Sequence, residues 1–509
     1  MKNTYNTFIV FALMFAFTGC DNNFDEINTN KVDPTSESIN PIFLLNNAII
    51  GLSFESFGNV VYDAGIVQQI ITPNSGVVTG ANFNQDNRTA TEVHWNDYYQ
   101  NVIKHTGDIL DQIADSPERG NLLQMTRIIE AYAFMVLTDE YGDIPYFEAG
   151  KGFSDQITFP KYDAQQEIYA DIIKELREAT AAFSESANPE SGEVLYSGDL
   201  NKWRRLGNSL LLRAGMRLVN VDNALARQTV EAAFAGGVLQ SNDDNFVVRH
   251  DNNFSNPHNG FFNGSEANNF YLTANFIDFL ASTNDPRLSA MAIRFIGASS
   301  GSEQTLDRTS KDAADQIGMP MGHDNASIAA VASGLGLASF FDFSQLDRFT
   351  LGAQTAPAFL LTYAQTQLLL AEAATRGWVA GTAEEYYEAG IRAHMEQLAD
   401  YGAAATIASV DIDTYVANNP LIAATALEQI NSQYWVASLL NGPEAFANFR
   451  RSGFPALSPN PFPGQDITGD FINRLTYPTS EIAVNKANLD AAVARMGPDN
   501  LDTKVWWHN

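Results

Sequence analysis

The sequence predicts a mainly α-helical protein, with helix pairs packed against an irregular, loop-rich half. Three observations lead there. Apolar residues recur at helical spacing over segments of helical length in both halves of the chain. Glycine or proline marks the ends of several of those segments, at Pro117–Gly120, Gly236-Gly237 and Gly377. Two long stretches, 238–275 and 297–358, are rich in Asn or in Gly, Ser and Ala and carry no helical period. Loops of that length inside a compact body are usually functional or disordered.

At the N-terminus, residues 1–19 hold one charge, Lys2, and an apolar run over 8–17 (FIVFALMFAF). A bilayer span needs about 20 such residues, so the run has the length of an export signal. It closes with Phe17-Thr18-Gly19-Cys20, which resembles the bacterial lipobox, with Phe17 where Leu is usual. Cys20 is then expected to be cut free and acylated. Each buried CH₂ adds about 0.8 kcal/mol, and more than one chain makes a stable anchor. The acids Asp21, Asp25 and Glu26 resemble the surface-export signal of Bacteroidetes lipoproteins. The expected organisation is a signal peptide at 1–19, a lipidated cysteine and tether at 20–40, and a single body over 41–509.

Within the body, periodicity predicts helices at 96–114 and 121–140, split at Pro117–Gly120, and an amphipathic helix at 163–183. A further pair is expected at 203–219 and 224–234, ended by Gly236-Gly237. The clearest pair is 359–376 with 383–398, turning at Gly377, and one more helix is expected over 418–441. Ala371, Ala373, Gly377, Ala383 and Ala389 put small residues, beside Tyr387, where two helices must approach closely, so this pair resembles a tetratricopeptide repeat. The helix pairs span about 96–236 and 359–441, and the loop-rich regions about 238–358 and 453–480.

The composition is 45% hydrophobic, enough for a large core, and the formal net charge is −30. Such a field repels nucleic acid, so no nucleic-acid partner is expected. A single cysteine excludes an internal disulfide and cysteine metal sites. The seven histidines show no HExxH spacing, and His250 with His258 is a weak metal signal; neither metal nor cofactor is expected. Gly297-Ala298-Ser299-Ser300-Gly301 formally matches GxSxG but lacks the helix that should follow, so a flexible loop is favoured. Nothing in the chain demands catalysis, and no enzyme is expected.

Several segments together carry a family resemblance. Tyr141-Gly142-Asp143-Ile144-Pro145-Tyr146 resembles the YGDxPY signature of SusD/RagB nutrient-binding lipoproteins. Lys202-Trp203 through Arg213 and Arg217, the Asp285-Pro286-Arg287 turn, and Ala371-Glu372-Ala373 with Arg376-Gly377-Trp378 are similar to further family segments. So are Asn441 to Phe446 with Arg450-Arg451-Ser452-Gly453, where Phe446 replaces the usual Trp, and Arg474, Tyr477-Pro478 and Glu481. The matches are collinear over nearly the whole mature chain. The resemblance implies an outer-membrane, surface-exposed, lipid-anchored protein. It would capture a nutrient, an oligosaccharide or, as in the RagB branch, a peptide, and deliver it to a SusC-like TonB-dependent porin. A surface glycoside hydrolase is the rival of another class. Arg451 and Trp203 are expected to anchor helix packing rather than touch ligand.

Sugar rings stack their CH faces on aromatic rings, with amides or carboxylates for the hydroxyls. All six tryptophans fall at helix positions or in the C-terminal tail. The expected ligand contacts are therefore Asn82, Phe83, Phe261, Phe262, Asn263, Phe270 and Tyr271, aromatics beside amides in loops. The same phenylalanines could instead plug the core beneath those loops.

Overall fold

Helix starts are set by capping residues. Asp199 accepts from the backbone N–H groups of Asn201 and Lys202, and Asp222 from that of Leu225. Thr362 with Gln365, and Thr382 with Glu385, form reciprocal capping boxes. Each satisfies backbone donors that a helix start leaves open.

A computed structural model describes residues 39–53, 58, 62–74, 80–152 and 154–508; Cys20 and the export segment lie outside them. Residues 42–509 form one unit. Its helices are α1 (Pro41–Gly51), α2 (Arg88–Asp97), α3 (Lys104–Ile113), α4 (Gly120–Tyr141), α5 (Gln165–Ala182), α6 (Leu200–Arg217) and α7 (Asn223–Gly236). There follow α8 (Ala274–Ser282), α9 (Asn325–Gly334), α10 (Tyr363–Thr375), α11 (Ala383–Gln397), α12 (Ser409–Asn418), α13 (Ala426–Ala437), α14 (Gly442–Ser452) and α15 (Lys486–Met496). No helix among the described residues is long and apolar enough to cross a membrane.

The expected pairs are present: α3 packs on α4, α6 on α7 and α10 on α11, with α5 against both α4 and α6. Helix α4 is buried along nearly its whole length. Contact between helices is close where side chains are small. A Cβ at Gly207 would meet Thr180 Cγ2 at 2.4 Å, and one at Gly390 would meet Leu368 Cγ at 2.7 Å.

Several boundaries differ from the sequence reading. Residues 358–361 form a strand, because a short continuous apolar run suits a buried strand as well as a helix; α10 starts only after the Thr362 cap. The helix expected over 418–441 is the shorter α13, which starts only at Ala426; Pro420 lies in the break that separates it from α12. The first helix begins earlier, at Arg88, where Asn87 accepts from the Ala90 N–H. The 297–358 stretch contains α9, opened by an Asp324–Ser327 capping box.

Most signature residues hold the scaffold. Gly142 takes φ +84°, and a Cβ there would strike Met496. Asp143 accepts from the Gln165 N–H at 2.9 Å and from Arg495 Nε at 2.9 Å, while the Tyr477 hydroxyl donates to the Asp143 carbonyl at 2.7 Å. Trp203 is fully buried, with its indole N–H on Glu193 at 3.2 Å. Arg217 bridges Glu444 at 2.7 Å and Asp139 at 3.1 Å. Arg451 grips both oxygens of Glu372 at 2.8 and 2.9 Å. Buried charges of this kind persist only when paired.

The irregular half holds short strands. β1 (Ile70–Ile71) pairs antiparallel with β5 (Tyr271–Leu272), and β4 (Phe246–Val248) with β9 (Ala358–Leu361), while β2 (Ile144–Pro145) and β3 (Tyr162–Asp163) pair beside α4. β6 (Ala292–Phe295) lies between β7 (Thr309–Ser310) and β8 (Gln345–Leu346). Gln69 and Trp435 join this half to α13: the Gln69 amide donates to the Trp435 carbonyl at 2.7 Å, and the indole N–H to the Val67 carbonyl at 2.8 Å.

Candidate functional site

The pairing of β1 with β5 brings two Asn-bearing loops together at one end of the irregular half. Asn74 Nδ2 donates to Asn269 Oδ1 at 3.2 Å, and Asn269 in turn donates to Glu266. The 80–87 loop is laced to the C-terminal 460–466 loop. Asn460 Nδ2 donates to the carbonyls of Ala81 and Asn82, Asn84 Nδ2 to Gln465, and the Asp466 N–H to the Asn84 carbonyl. The Phe83 and Phe462 rings lie 4.4 Å apart. Two more loops close in: a Cβ at Gly322 would strike Pro461, and one at Gly301 would strike the Asn268 amide.

The result is a rim of half-buried side chains, with amides from Asn74, Asn268 and Asn269 and apolar surface from Met321, Phe340 and Phe462. Phe340 and Phe341 have ring centroids 4.1 Å apart, and Phe340 lies edge-on to Tyr271 at 6.3 Å. Arg348 supports the floor, donating to the carbonyls of Ala267 and Gln304 with its guanidinium 4.6 Å from the Phe295 ring centre. Burial lowers its pKa, and it points inward rather than at solvent. The reachable rim therefore offers neutral amides and aromatic faces, with the acids Glu266, Asp86 and Asp466 on the loops that build it. That chemistry suits hydroxyl and amide groups of an uncharged ligand.

The sequence-chosen residues take other places. Asn82, Phe83, Phe262, Phe270 and Tyr271 are buried. The Asn82 amide donates to the Thr72 carbonyl at 2.9 Å. Phe261, half-buried, packs on Phe270 at 5.4 Å, and Phe262 meets Phe270 edge-on at 6.1 Å. Asn263 is exposed, yet its amide donates to the carbonyls of Arg348 and Gly352. The five buried residues sit as supports in this structure, since apolar area beneath the loops leaves water before it can serve a ligand, while Phe261 and Asn263 stay partly reachable. Phe83 stands one ring below the surface, under Phe462. The candidate contacts that the structure adds are Asn74, Asn268, Asn269, Met321, Phe340 and Phe462. Of these, all but Asn74 lie in the stretches that the sequence marks as loop-rich.

His250 and His258 each have other contacts. His250 Nε2 lies 3.2 Å from Ser53 Oγ, and His258 stacks on Phe262, its pKa pushed down to about 4 by burial. Ser299 of the GxSxG match sits in a turn whose N–H donates to Glu303, and only a single 3₁₀ turn follows. A separate cleft of about 410 Å³ opens on the helical side, between α3, α4, α5 and the 146–155 loop. It combines Tyr146 and Phe147 with the acids Glu130, Asp171 and Glu175. Burial pushes the Glu130 carboxyl up to about 7, although Thr106 donates to it at 3.0 Å.

Helix pairs carrying a loop-built, amide-lined rim are the architecture of a binding protein. The chain belongs to the SusD-like family: the family model described as starch-binding and associating with the outer membrane matches residues 33–478. A solved chitin-binding protein is 32% identical, with 92% of this chain and 100% of that one covered and a TM-score of 0.81. A Bacteroidetes AC2a SusD-like protein is 26% identical, with 92% and 100% covered and a TM-score of 0.79. A chitin-binding SusD homologue from Flavobacterium johnsoniae is similar in fold, at 24% identity, 92% and 98% coverage and a TM-score of 0.72. No curated protein matches the chain.

Proposed function

We propose that this chain is a surface lipoprotein, acylated at Cys20, that captures an oligosaccharide of N-acetylated sugars and passes it to a SusC-like TonB-dependent porin without catalysis. The observation that carries the ligand class is the 32% identical, fully covered chitin-binding relative. The rim agrees with it. An acetamido group offers an N–H, a carbonyl and a methyl, which Asn side chains and apolar neighbours such as Phe462 and Met321 can meet together. A neutral glycan also suffers no repulsion from a chain of net charge −30. Delivery to a porin and the lipid anchor rest on membership of an outer-membrane-associated family and on the Cys20 segment.

Calorimetry on the mature protein with chitooligosaccharides, maltooligosaccharides and a peptide panel tests the reading. Binding of the N-acetylated series is expected. Phe462→Ala and Asn269→Ala should each weaken it about tenfold, the scale of one lost aromatic or amide contact. Phe147→Ala, in the separate cleft, should leave it unchanged. Binding of peptides but no glycan would move the chain to the RagB-like reading, and release of shorter sugars would support a hydrolase.

A further inference from the structure

Away from the rim, three side chains meet at the inner end of α4. Asp63 precedes the short Ala64–Ile66 helix that leads into β1, His94 lies on α2 and Glu140 ends α4. All three are buried: Asp63 and Glu140 have no exposure and His94 has 1%. His94 Nδ1 lies 2.8 Å from Glu140 Oε1 and 3.8 Å from Asp63 Oδ2, and one donor atom from each residue falls within 4.8 Å of the others. Both oxygens of Asp63, and Oε2 of Glu140, are buried without a hydrogen-bond partner. Arg450, whose charge is felt at Asp63, donates instead to the carbonyls of Phe446 and Asn473.

Two neighbouring carboxylates lie out of water, one of them with no donor, and the nearby Arg450 charge is bonded elsewhere. An unpartnered buried ion is strongly unfavourable, so the site must take up either a proton or a cation. We propose that Asp63, His94 and Glu140 bind one divalent transition-metal ion of the zinc or manganese type.

One imidazole and two carboxylates are the mixed nitrogen and oxygen set those ions accept. Bonds of about 2.0–2.2 Å put neighbouring donors of a tetrahedral shell roughly 3.3 Å apart. The observed separations of 2.8 and 3.8 Å lie on either side of that value. A bidentate Asp63, both of whose oxygens are unpartnered, would supply the fourth position. On binding, the ion replaces the proton held between His94 and the carboxylates, and that proton leaves to solvent. With both carboxylates ionised and the imidazole neutral, the ion brings the cluster to zero charge. The role is structural: the ion would tie the segment feeding β1, and through it the floor of the rim, to α2 and α4.

Elemental analysis of the purified full-length lipoprotein tests this, with thermal unfolding before and after chelation. About one equivalent of zinc or manganese per chain is expected, with a Tm that falls on chelation and recovers on adding the metal back. Asp63→Asn mimics a protonated carboxyl. It should abolish stoichiometric metal and make the Tm insensitive to chelator. Wild-type protein that carries no metal and does not bind zinc or manganese saturably would overturn the proposal, leaving a shared proton as the counter-charge. So would metal that persists undiminished in both Asp63→Asn and His94→Gln. Should the variants fail to fold, wild-type metal content and the chelation shift decide alone.

Discussion

Replacing Glu372 by Gln removes the charge that holds Arg451 at the junction of α10, α13 and α14. The Arg451 side chain has no exposure and that of Glu372 only 2%. Arg451 donates to both carboxylate oxygens, and Arg376 adds a bond of 2.7 Å. Burial alone would raise the Glu372 carboxyl, but the Arg451 guanidinium and its hydrogen bonds, helped by Arg376, bring it down from 4.5 to about 2. A carboxyl so depressed contributes on the order of 3 kcal/mol at neutral pH. Breaking a buried pair from one side gives a similar figure, about 3–5 kcal/mol, because the partner charge stays buried. The sign follows from the direction. The folded value lies below the unfolded one, so the stabilisation is full above about pH 4.5 and fades as pH falls through 2. Urea unfolding followed by far-UV circular dichroism should show Glu372→Gln less stable by about 3 kcal/mol at pH 7 and by roughly half of that or less at pH 3. A loss under about 1 kcal/mol at pH 7, or an equal loss at both pH values, would refute the reasoning.

Other perturbations give equally direct expectations. Gly207→Ala places a Cβ 2.4 Å from Thr180 Cγ2 and should cost about 1–3 kcal/mol in urea unfolding, the usual penalty for overpacking. Gly142→Ala combines a positive φ with a clash on Met496; a larger loss is expected, with a lowered yield of folded protein as the first sign. Cys20→Ala should abolish lipid labelling and release the protein from membranes, and a variant that stays membrane-bound would remove the anchor assignment. Met321→Ala should weaken oligosaccharide binding while costing no more than about 1 kcal/mol of unfolding free energy, since its side chain is only half-buried where it packs at the rim.

Helices were legible where one face alternates with solvent. In α5, Ile168, Tyr169, Ile172, Ile173 and Leu176 were readable as a stripe, and all five are buried. Where burial is all-round, or a run is short, periodicity carries less. Phe359-Leu360-Leu361 reads as helix or strand until its partner β4 is known. Its boundary was nonetheless written locally, in the Thr362–Gln365 capping box. Pro420, between α12 and α13, is a similar local signal.

The site was less legible. Aromatics beside amides mark where a chain leaves regular structure, but not which of them reach the surface. Phe83 and Phe462 are 379 positions apart in the sequence, yet one ring covers the other. Asp63, His94 and Glu140 likewise have no local spacing that would announce a cluster.

By itself the sequence determined the helical class, the small residues at close helix contacts, the caps that start α6, α7 and α11, and the collinear motifs that mark the SusD-like family. All of these depend on neighbours within one or two helical turns, or on residue identity alone. Tertiary structure decided which loop side chains face solvent, which strand β9 joins, and which buried acids find a partner. Those outcomes depend on contacts between distant segments, where packing and desolvation outweigh local preference.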